Sequence, residues 1–199
     1  SNNVGNGIYR EIDTLDADKW IVAIKYHQHQ QSGNGGSNIP IAIHNAELSS
    51  LSGCSGAWQP MTITNGVNLY LNAGNRTFSL ETKISGSSSG QAVSGSEIPF
   101  SLDTDYWIAI TRDGDTFTMN LYDIDDLGGT SIGTASVTRS NVSTSLSWVT
   151  MSAGCHSSLG TDRWKADFDD LTVYDGVTTP VNFQTEVITP ITNYYANGV

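Results

Sequence analysis

An all-β fold is predicted by three features of the sequence: many short strand-like runs, recurrent turn dipeptides, and no helical pattern longer than about a turn. The runs are rich in β-branched and aromatic residues and are bounded by Gly, Asn, Asp or Ser. They cover residues 20–30, 39–45, 67–73, 77–84, 105–114, 115–124, 133–140, 147–154 and 163–176. Spacing of this kind favours a two-sheet sandwich or a barrel.

The first long run alternates between two faces, because successive side chains of a strand point to opposite sides. The face that we expect in the core carries Trp20, Val22, Ile24 and Tyr26. The opposite face, which we expect to be partly open to water, carries Ile21, Ala23, Lys25, His27 and His29.

A β-hairpin is predicted around Asp113-Gly114, since Asp-Gly between two alternating runs is a strong hairpin signal. The apolar positions that would share its buried face are Ile108, Ile110, Phe117, Met119 and Leu121. Trp107 and Trp148 fall within strand patterns, and we expect both in the core.

Composition limits the class of protein. The chain of 199 residues suits one domain, and its 15% charged residues lie below the roughly 25% usual for globular proteins. Low charge with abundant Ser, Thr, Gly and aromatic residues is typical of extracellular or virion β-proteins. The net charge of −11 and the lack of a Lys/Arg run argue against nucleic-acid binding, and no apolar run approaches the roughly 20 residues of a membrane helix. The acid excess serves either solubility or cation binding.

Two regions carry further expectations about covalent and quaternary structure. Cys54 and Cys155 lie in separate Gly/Ser-rich turns, and they form either a disulfide between two loops, which the extracellular composition favours, or two free thiols.

Residues 178–199 contain two prolines and read as an extended C-terminal tail after a domain of residues 1–177. The tail either wraps its own domain or adds to a sheet edge of a neighbouring subunit.

Four segments carry a resemblance to a known superfamily. They are "YREIDTLDADKWIVAIKY" (9–26), "LDTDYWIAITRDGDTFTMNLY" (102–122), "ASVTRSNVSTSLSWVTMSAG" (135–154) and "KADFDDLTVYDGVTTP" (165–180). Together they resemble the concanavalin A-like, or laminin G-like, jelly-roll superfamily, in a branch common in viral structural and microbial surface proteins. The resemblance implies an all-β, two-sheet antiparallel jelly-roll sandwich. It also implies a non-catalytic structural or adhesion module, located extracellularly or on a virion surface, whose partners are copies of itself or other surface proteins.

Two acidic strings are candidate Ca²⁺ sites. Alternation places Asp167 and Asp169 on one strand face and Asp170 on the other. The resemblance implies that an acid here, Asp169 foremost, ligates a structural Ca²⁺ with oxygens from the N-terminal segment; the alternative is a carboxylate held by backbone N–H groups or an arginine. The second string, Asp123, Asp125 and Asp126, either chelates a surface Ca²⁺ or serves turn chemistry alone. The list of candidate metal ligands is therefore Asp167, Asp169, Asp123 and Asp125.

Carbohydrate binding is the alternative function, since sugars stack on aromatic rings and hydrogen-bond to polar side chains. Trp58, in the loop "CSGAWQP", is the candidate platform, and it otherwise packs against its own loop beside Pro60. The face that carries Lys25, His27 and His29 is the candidate polar groove.

His27 and His29 also form an H-x-H pair, a spacing that lets two imidazoles meet one metal ion. A third ligand is not evident in the sequence, although His44 and His156 could approach in space. A surface pair without metal is the other interpretation.

A glycan hydrolase is the remaining hypothesis. Glu11, Asp13 and Asp16 nearly reproduce the E-x-D-x-x-E pattern that carries the two carboxylates of retaining β-glucanases in this superfamily. However, Asp replaces the outer Glu, and the motif lies ahead of the first long run. We therefore expect a short edge strand and a charged turn there.

Overall fold

The computed structural model describes residues 6–32, 37–45, 65–72, 75–84, 91–125, 127–154 and 163–178. Within these ranges the chain forms twelve strands. Their bounds are β1 (Asn6–Glu11), β2 (Lys19–Ser32), β3 (Ser37–His44), β4 (Gly66–Asn72), β5 (Thr77–Lys83), β6 (Gln91–Val93), β7 (Ile98–Pro99), β8 (Asp105–Asp113), β9 (Thr116–Asp123), β10 (Gly133–Thr138), β11 (Trp148–Gly154) and β12 (Arg163–Asp175). None of the described segments forms a helix long and apolar enough to span a membrane.

Two antiparallel sheets pack face to face. The seven-stranded sheet has the order β1-β11-β3-β4-β5-β6, with β7 also paired to β5, and the five-stranded sheet has the order β10-β9-β8-β2-β12. Strands that are distant in the chain are neighbours in both sheets, as β1 with β11 and β2 with β12. The predicted two-sheet antiparallel sandwich is therefore confirmed.

The core lies between the sheets and is built by the alternating apolar side chains of both. All four residues assigned to the inner face of the first run are at most 1% exposed, and so are the five assigned to the hairpin. From the seven-stranded sheet they meet Ile41, Ile43, Leu69, Phe78 and Leu80, among others. Three aromatic rings pack together in this core. Phe78 stacks on Phe100 at 4.4 Å between ring centroids and forms an edge-to-face contact with Tyr26 at 5.5 Å.

All nine predicted runs correspond to strands, whereas β6 and β7 were not predicted. The predicted hairpin joins β8 and β9, and Asp113 pairs with Thr116, so that Gly114 and Asp115 form the turn. Gly114 has a φ of 61°, the left-handed region that glycine adopts without steric cost.

A second, smaller apolar cluster covers part of the outer face of the five-stranded sheet. Its buried members are Ile21, Ala23, Ala109 and Tyr122, and it is flanked by Trp107, Leu127, Tyr174 and Val177. The expectation that Trp107 lies in the core between the sheets is therefore wrong. Alternation with Ile108 turns the indole outward, where it is only partly buried. Trp148 is likewise half-buried.

Several predicted features lie outside the described residues. They are Trp58, Asp126, His156, both cysteines, residues 1–5 of the N-terminal segment and residues 179–199 of the tail. The disulfide, the aromatic platform at Trp58 and the role of the tail stay predictions.

Candidate functional site

The outer surface of the five-stranded sheet changes from apolar to polar toward the C-terminal half of β2. We call this polar part the polar face. It consists of Lys25, His27 and His29 from β2, Asp103 from the turn before β8, Asp105 and Trp107 from β8, and Asp167, Asp169 and Asp170 from β12.

Strand register brings these residues together. β2 lies between β8 and β12, so each outward side chain of β2 has a neighbour on both sides. Lys25 pairs with Trp107 on β8 and with Asp169 on β12. His27 pairs with Asp105 and Asp167 in the same way. The expectation of a partly open face is confirmed for Lys25, His27 and His29, which are all half-buried. It is wrong for Ile21 and Ala23, which are buried in the outer apolar cluster.

Lys25 is held between an acid and an aromatic ring. Its Nζ forms an ion pair with Asp170 Oδ2 and lies 5.2 Å from the centroid of the Trp107 ring, a cation–π distance. Trp107 is itself fixed, because its Nε1–H donates to the Ile124 carbonyl at 3.0 Å. The ammonium and the indole therefore occupy defined positions on the polar face.

Each histidine is oriented by its own carboxylate. His27 Nδ1 is hydrogen-bonded to Asp105 Oδ1 at 2.6 Å, and His29 Nε2 to Asp167 Oδ2 at 2.5 Å. Because ionised carboxylates only accept hydrogen bonds, each ring donates from that nitrogen. The two ring centroids are 4.2 Å apart.

Asp103 completes a group of three between the rings. Its Oδ1 lies 3.9 Å from His27 Nε2 and 3.9 Å from His29 Nδ1. These are the ring nitrogens that are not bonded to Asp105 or Asp167. The Asp103 N–H donates to the carbonyl of Gln28 at 2.9 Å. Because Gln28 lies between the two histidines in sequence, this bond ties the turn before β8 to β2. Within the described part of the chain, this is the one group of three His, Cys, Asp or Glu side chains whose ligand atoms approach within 4.8 Å of one another.

The acids predicted to bind Ca²⁺ have separate partners. Asp167 contacts His29, whereas Asp169 Oδ1 accepts the N–H of Asp170 at 2.9 Å. The prediction that Asp170 faces away from Asp167 is wrong, because the pairing of β12 shifts register between Asp169 and Thr172 and Asp170 adopts a φ of 48°. This bulge turns Asp170 toward Lys25 on the polar face.

The second acidic string lies at the end of β9. Asp123 Oδ1 accepts the N–H of Ile124 at 3.2 Å, and Asp125 follows in the exposed turn. Local turn chemistry therefore accounts for the Asp123 contact, and Ca²⁺ at either acidic string stays a prediction.

The E-x-D-x-x-E-like segment forms the expected edge strand and charged turn. Glu11 ends β1, which is an edge strand of the seven-stranded sheet. Asp16 Oδ1 accepts the N–H groups of Asp18 and Lys19 at 2.8 Å each, and these bonds hold the pKa of the Asp16 carboxyl below its usual range. The Asp16 carboxylate therefore fixes the turn into β2.

His44 does not join the histidine pair. It is buried on β3 in the other sheet, and its Nε2 is hydrogen-bonded to Thr150 Oγ1 at 2.7 Å. The same sheet buries a second polar pair, in which Asn68 Nδ2 donates to Glu81 Oε2 at 3.0 Å. Sequence reasoning missed this pair, as it missed the roles of Asp103, Asp105 and Asp170 on the polar face.

Comparison with known proteins shows likeness in structure alone. No family model and no curated protein matches the sequence. The exoplasmic/lumenal domain of VIP36, in its Ca²⁺/Man3GlcNAc-bound form, matches with a TM-score of 0.57 and 12% identity over 88% of this chain and 76% of that one. Alginate lyase A1-II′ matches with a TM-score of 0.50 and 12% identity over 83% and 65%. The enzymatically active domain of tailspike protein 2 from bacteriophage CBA120 matches with a TM-score of 0.50 and 14% identity over 86% of this chain and 28% of that chain.

At these identities the likeness concerns the fold. Together with the sheet order, it shows the two-sheet jelly-roll sandwich that the sequence resemblance implied.

Proposed function

We propose that this chain is a non-catalytic glycan-binding module, displayed outside the cell or on a virion, and that it binds sugars on the polar face. The observation that carries the proposal is the fixed, half-open array of Lys25, two imidazoles and an indole flanked by carboxylates. Glycan binding gives the expected adhesion module a defined target.

The chemistry of the polar face suits a sugar. Vicinal hydroxyls donate to carboxylates or to the lone pair of an imidazole nitrogen and accept from an ammonium, and a sugar CH face packs on an aromatic ring. The side chains of Asp105 and Asp170 are 58% and 51% exposed, so both carboxylates can be reached by hydroxyl donors. The hydrogen bonds within the array hold it in place before a ligand arrives, which reduces the entropy lost on binding.

Charge selects the class of glycan. Among the side chains that the structure describes, the polar face carries five aspartates and one permanent cation, Lys25. Such a surface repels uronates and sulfated sugars. We therefore propose neutral hexose-containing oligosaccharides as ligands, rather than acidic polysaccharides.

The comparisons support this proposal in a general way. The VIP36 structure contains a bound Man3GlcNAc. VIP36 is lumenal by description, and the tailspike protein comes from a phage, which agrees with display outside the cytosol.

The structural roles of Asp16 and Glu11, two of the sequence-predicted catalytic carboxylates, support the non-catalytic role. Asp16 is engaged by two backbone N–H groups, and Glu11 lies on a strand of the other sheet. Hydrolysis of a β-glucan by the parent protein, abolished in Glu11→Gln, would replace this proposal with the hydrolase hypothesis.

A glycan array of labelled protein tests the proposal. We expect binding to a set of neutral oligosaccharides, and at least a tenfold loss of affinity, equivalent to about 1.4 kcal/mol, in Lys25→Met. Lys83→Met, on β5 of the other sheet, is the matched control and should bind as the parent does. The absence of binding to any glycan, or an equal loss of glycan affinity in both lysine variants, would contradict the proposal. Trp58→Ala tests separately whether the predicted platform contributes.

Self-association stays a secondary proposal. The edges of the five-stranded sheet are β10 and β12, and a peptide strand can add to such an edge. Removing residues 178–199 should lower the number of subunits per particle in solution if the tail pairs between subunits, and should leave that number unchanged if the tail is a linker.

A further inference from the structure

We propose that His27, His29 and Asp103 form a binding site for a transition-metal ion of the Zn²⁺ class. The proposal goes beyond glycan recognition and does not rest on it. The sequence supplied the H-x-H pair, and the structure supplies the third ligand, its geometry and the groups that orient the rings.

The ligand atoms converge on one point. His27 Nε2 and His29 Nδ1 each lie 3.9 Å from Asp103 Oδ1, and a set of ligand atoms from the three residues lies within 4.8 Å. In a tetrahedral site with bonds of about 2.1 Å, ligand atoms lie about 3.4 Å apart. The ligand atoms therefore need to approach one another by about 0.5–1.4 Å to close the site around an ion.

Electrostatics favours a cation at this point. The hydrogen bonds to Asp105 and Asp167 leave the second nitrogen of each ring on the side of Asp103, where a neutral imidazole offers a lone pair. In that form, two lone pairs and a carboxylate oxygen attract a cation placed between them. A metal ion supplies that charge while leaving both outer hydrogen bonds intact.

Groups outside the three ligands hold them in place. In protein metal sites, a ligating histidine usually donates its other ring N–H to a carboxylate or a carbonyl. Both histidines make such a hydrogen bond here. Asp103 adopts a φ of 52°, and its N–H is tied to the Gln28 carbonyl at 2.9 Å. The turn therefore presents its carboxylate to both rings.

The donor set selects the metal. Two imidazole nitrogens and one carboxylate oxygen suit Zn²⁺ and neighbouring divalent transition metals, whereas Ca²⁺ takes six to eight oxygen ligands. The side chains of His27, His29 and Asp103 are 24%, 34% and 72% exposed, so the ion would keep an open position toward solvent. That position is available to water or to a ligand hydroxyl.

Isothermal titration calorimetry of the chelator-treated protein with ZnCl₂ tests the site, without any glycan present. We expect one Zn²⁺ per chain, little response to CaCl₂, and weaker Zn²⁺ binding at acid pH, because imidazole must be neutral to coordinate. Asp105→Asn and Asp167→Asn should each weaken binding by about 10–100-fold, and His27→Gln with His29→Gln should weaken it further.

Asp113→Asn, an exposed carboxylate at the β8–β9 turn, is the matched control and should bind Zn²⁺ as the parent does. A second readout, the imidazole ¹⁵N shifts, should assign the metal to Nε2 of His27 and Nδ1 of His29. No binding at millimolar Zn²⁺, or one-to-one binding that survives the double histidine substitution with the fold intact by circular dichroism, would overturn the proposal. Because these readouts use no sugar, a failed glycan array does not affect them.

Discussion

Replacing Arg112 with methionine tests how the β8–β9 hairpin is fastened to the loop after β10. Arg112 is 3% exposed, and its Nε donates to the Gly114 carbonyl at 2.9 Å while Nη1 donates to the Ser143 carbonyl at 2.7 Å. The guanidinium carbon also lies 5.2 Å from the centroid of the Phe117 ring. Methionine keeps much of the apolar stem and removes the charge with both donors.

The expected loss follows from opposing contributions. A hydrogen bond from a charged donor contributes about 1.5–3 kcal/mol, and the cation–π contact about 0.5–1 kcal/mol. Burial opposes these gains, and the same desolvation lowers the pKa of Arg112. Taking the low end of each gain and subtracting a desolvation cost of about 1 kcal/mol, we expect the free energy of unfolding to fall by about 2–3 kcal/mol.

Urea unfolding followed by tryptophan fluorescence measures this loss, with an unchanged m-value as the sign of an unaltered folded state. Arg76→Met is the matched control, because Arg76 is exposed, and its effect should stay within about 0.5 kcal/mol. A fall of less than about 1 kcal/mol in the free energy of unfolding for Arg112→Met would refute the reasoning. The cost of desolvating the guanidinium would then offset the energy of its hydrogen bonds.

Three further measurements address the turn, the packing and the calcium hypothesis. The pKa of Asp16 lies below its ordinary value of 3.8, so the hydrogen bonds to its carboxylate contribute stability above the unfolded-state pKa, and this stability is lost as the pH falls through the folded-state pKa. Asp16→Ala should therefore unfold at lower urea than the parent at neutral pH, and a gap that persists unchanged in strong acid would contradict this. Gly66→Ala places a Cβ 2.1 Å from the Ile43 carbonyl oxygen and should cost about 1–3 kcal/mol in urea unfolding, whereas Gly95→Ala, with nothing within 4 Å, should be near neutral. If Asp169 ligates Ca²⁺, adding Ca²⁺ to chelator-treated protein raises the melting temperature of the parent but not of Asp169→Asn; equal melting temperatures with and without Ca²⁺ would remove that site.

Alternation along the chain was enough to predict the long strands and their inner faces. A period of two assigns Ile108 and Ile110 to one side of β8, and both are buried between the sheets. β7 was missed because two residues, one of them Pro99, are too short to show a period. The same alternation predicts that Trp107 faces outward, because its neighbour Ile108 faces the core. The expectation of a buried Trp107 followed instead from the apolar character of tryptophan.

The polar face was predictable only in part. The period of two places Lys25, His27 and His29 on one face, and the structure confirms this. Asp103 joins them through the antiparallel register of β2 with β8, which depends on the pairing of strands far apart in sequence. The position of Asp170 depends on a bulge in β12, and a regular alternation cannot reveal a bulge.

Chemical-shift mapping with the strongest neutral oligosaccharide from the array tests most directly whether the polar face is the binding surface. In backbone and indole ¹H–¹⁵N spectra, the account predicts that saturable shifts cluster at Lys25, His27, His29 and the Trp107 indole N–H. Shifts confined to the seven-stranded sheet, or equal shifts in parent protein and Lys25→Met, would contradict it.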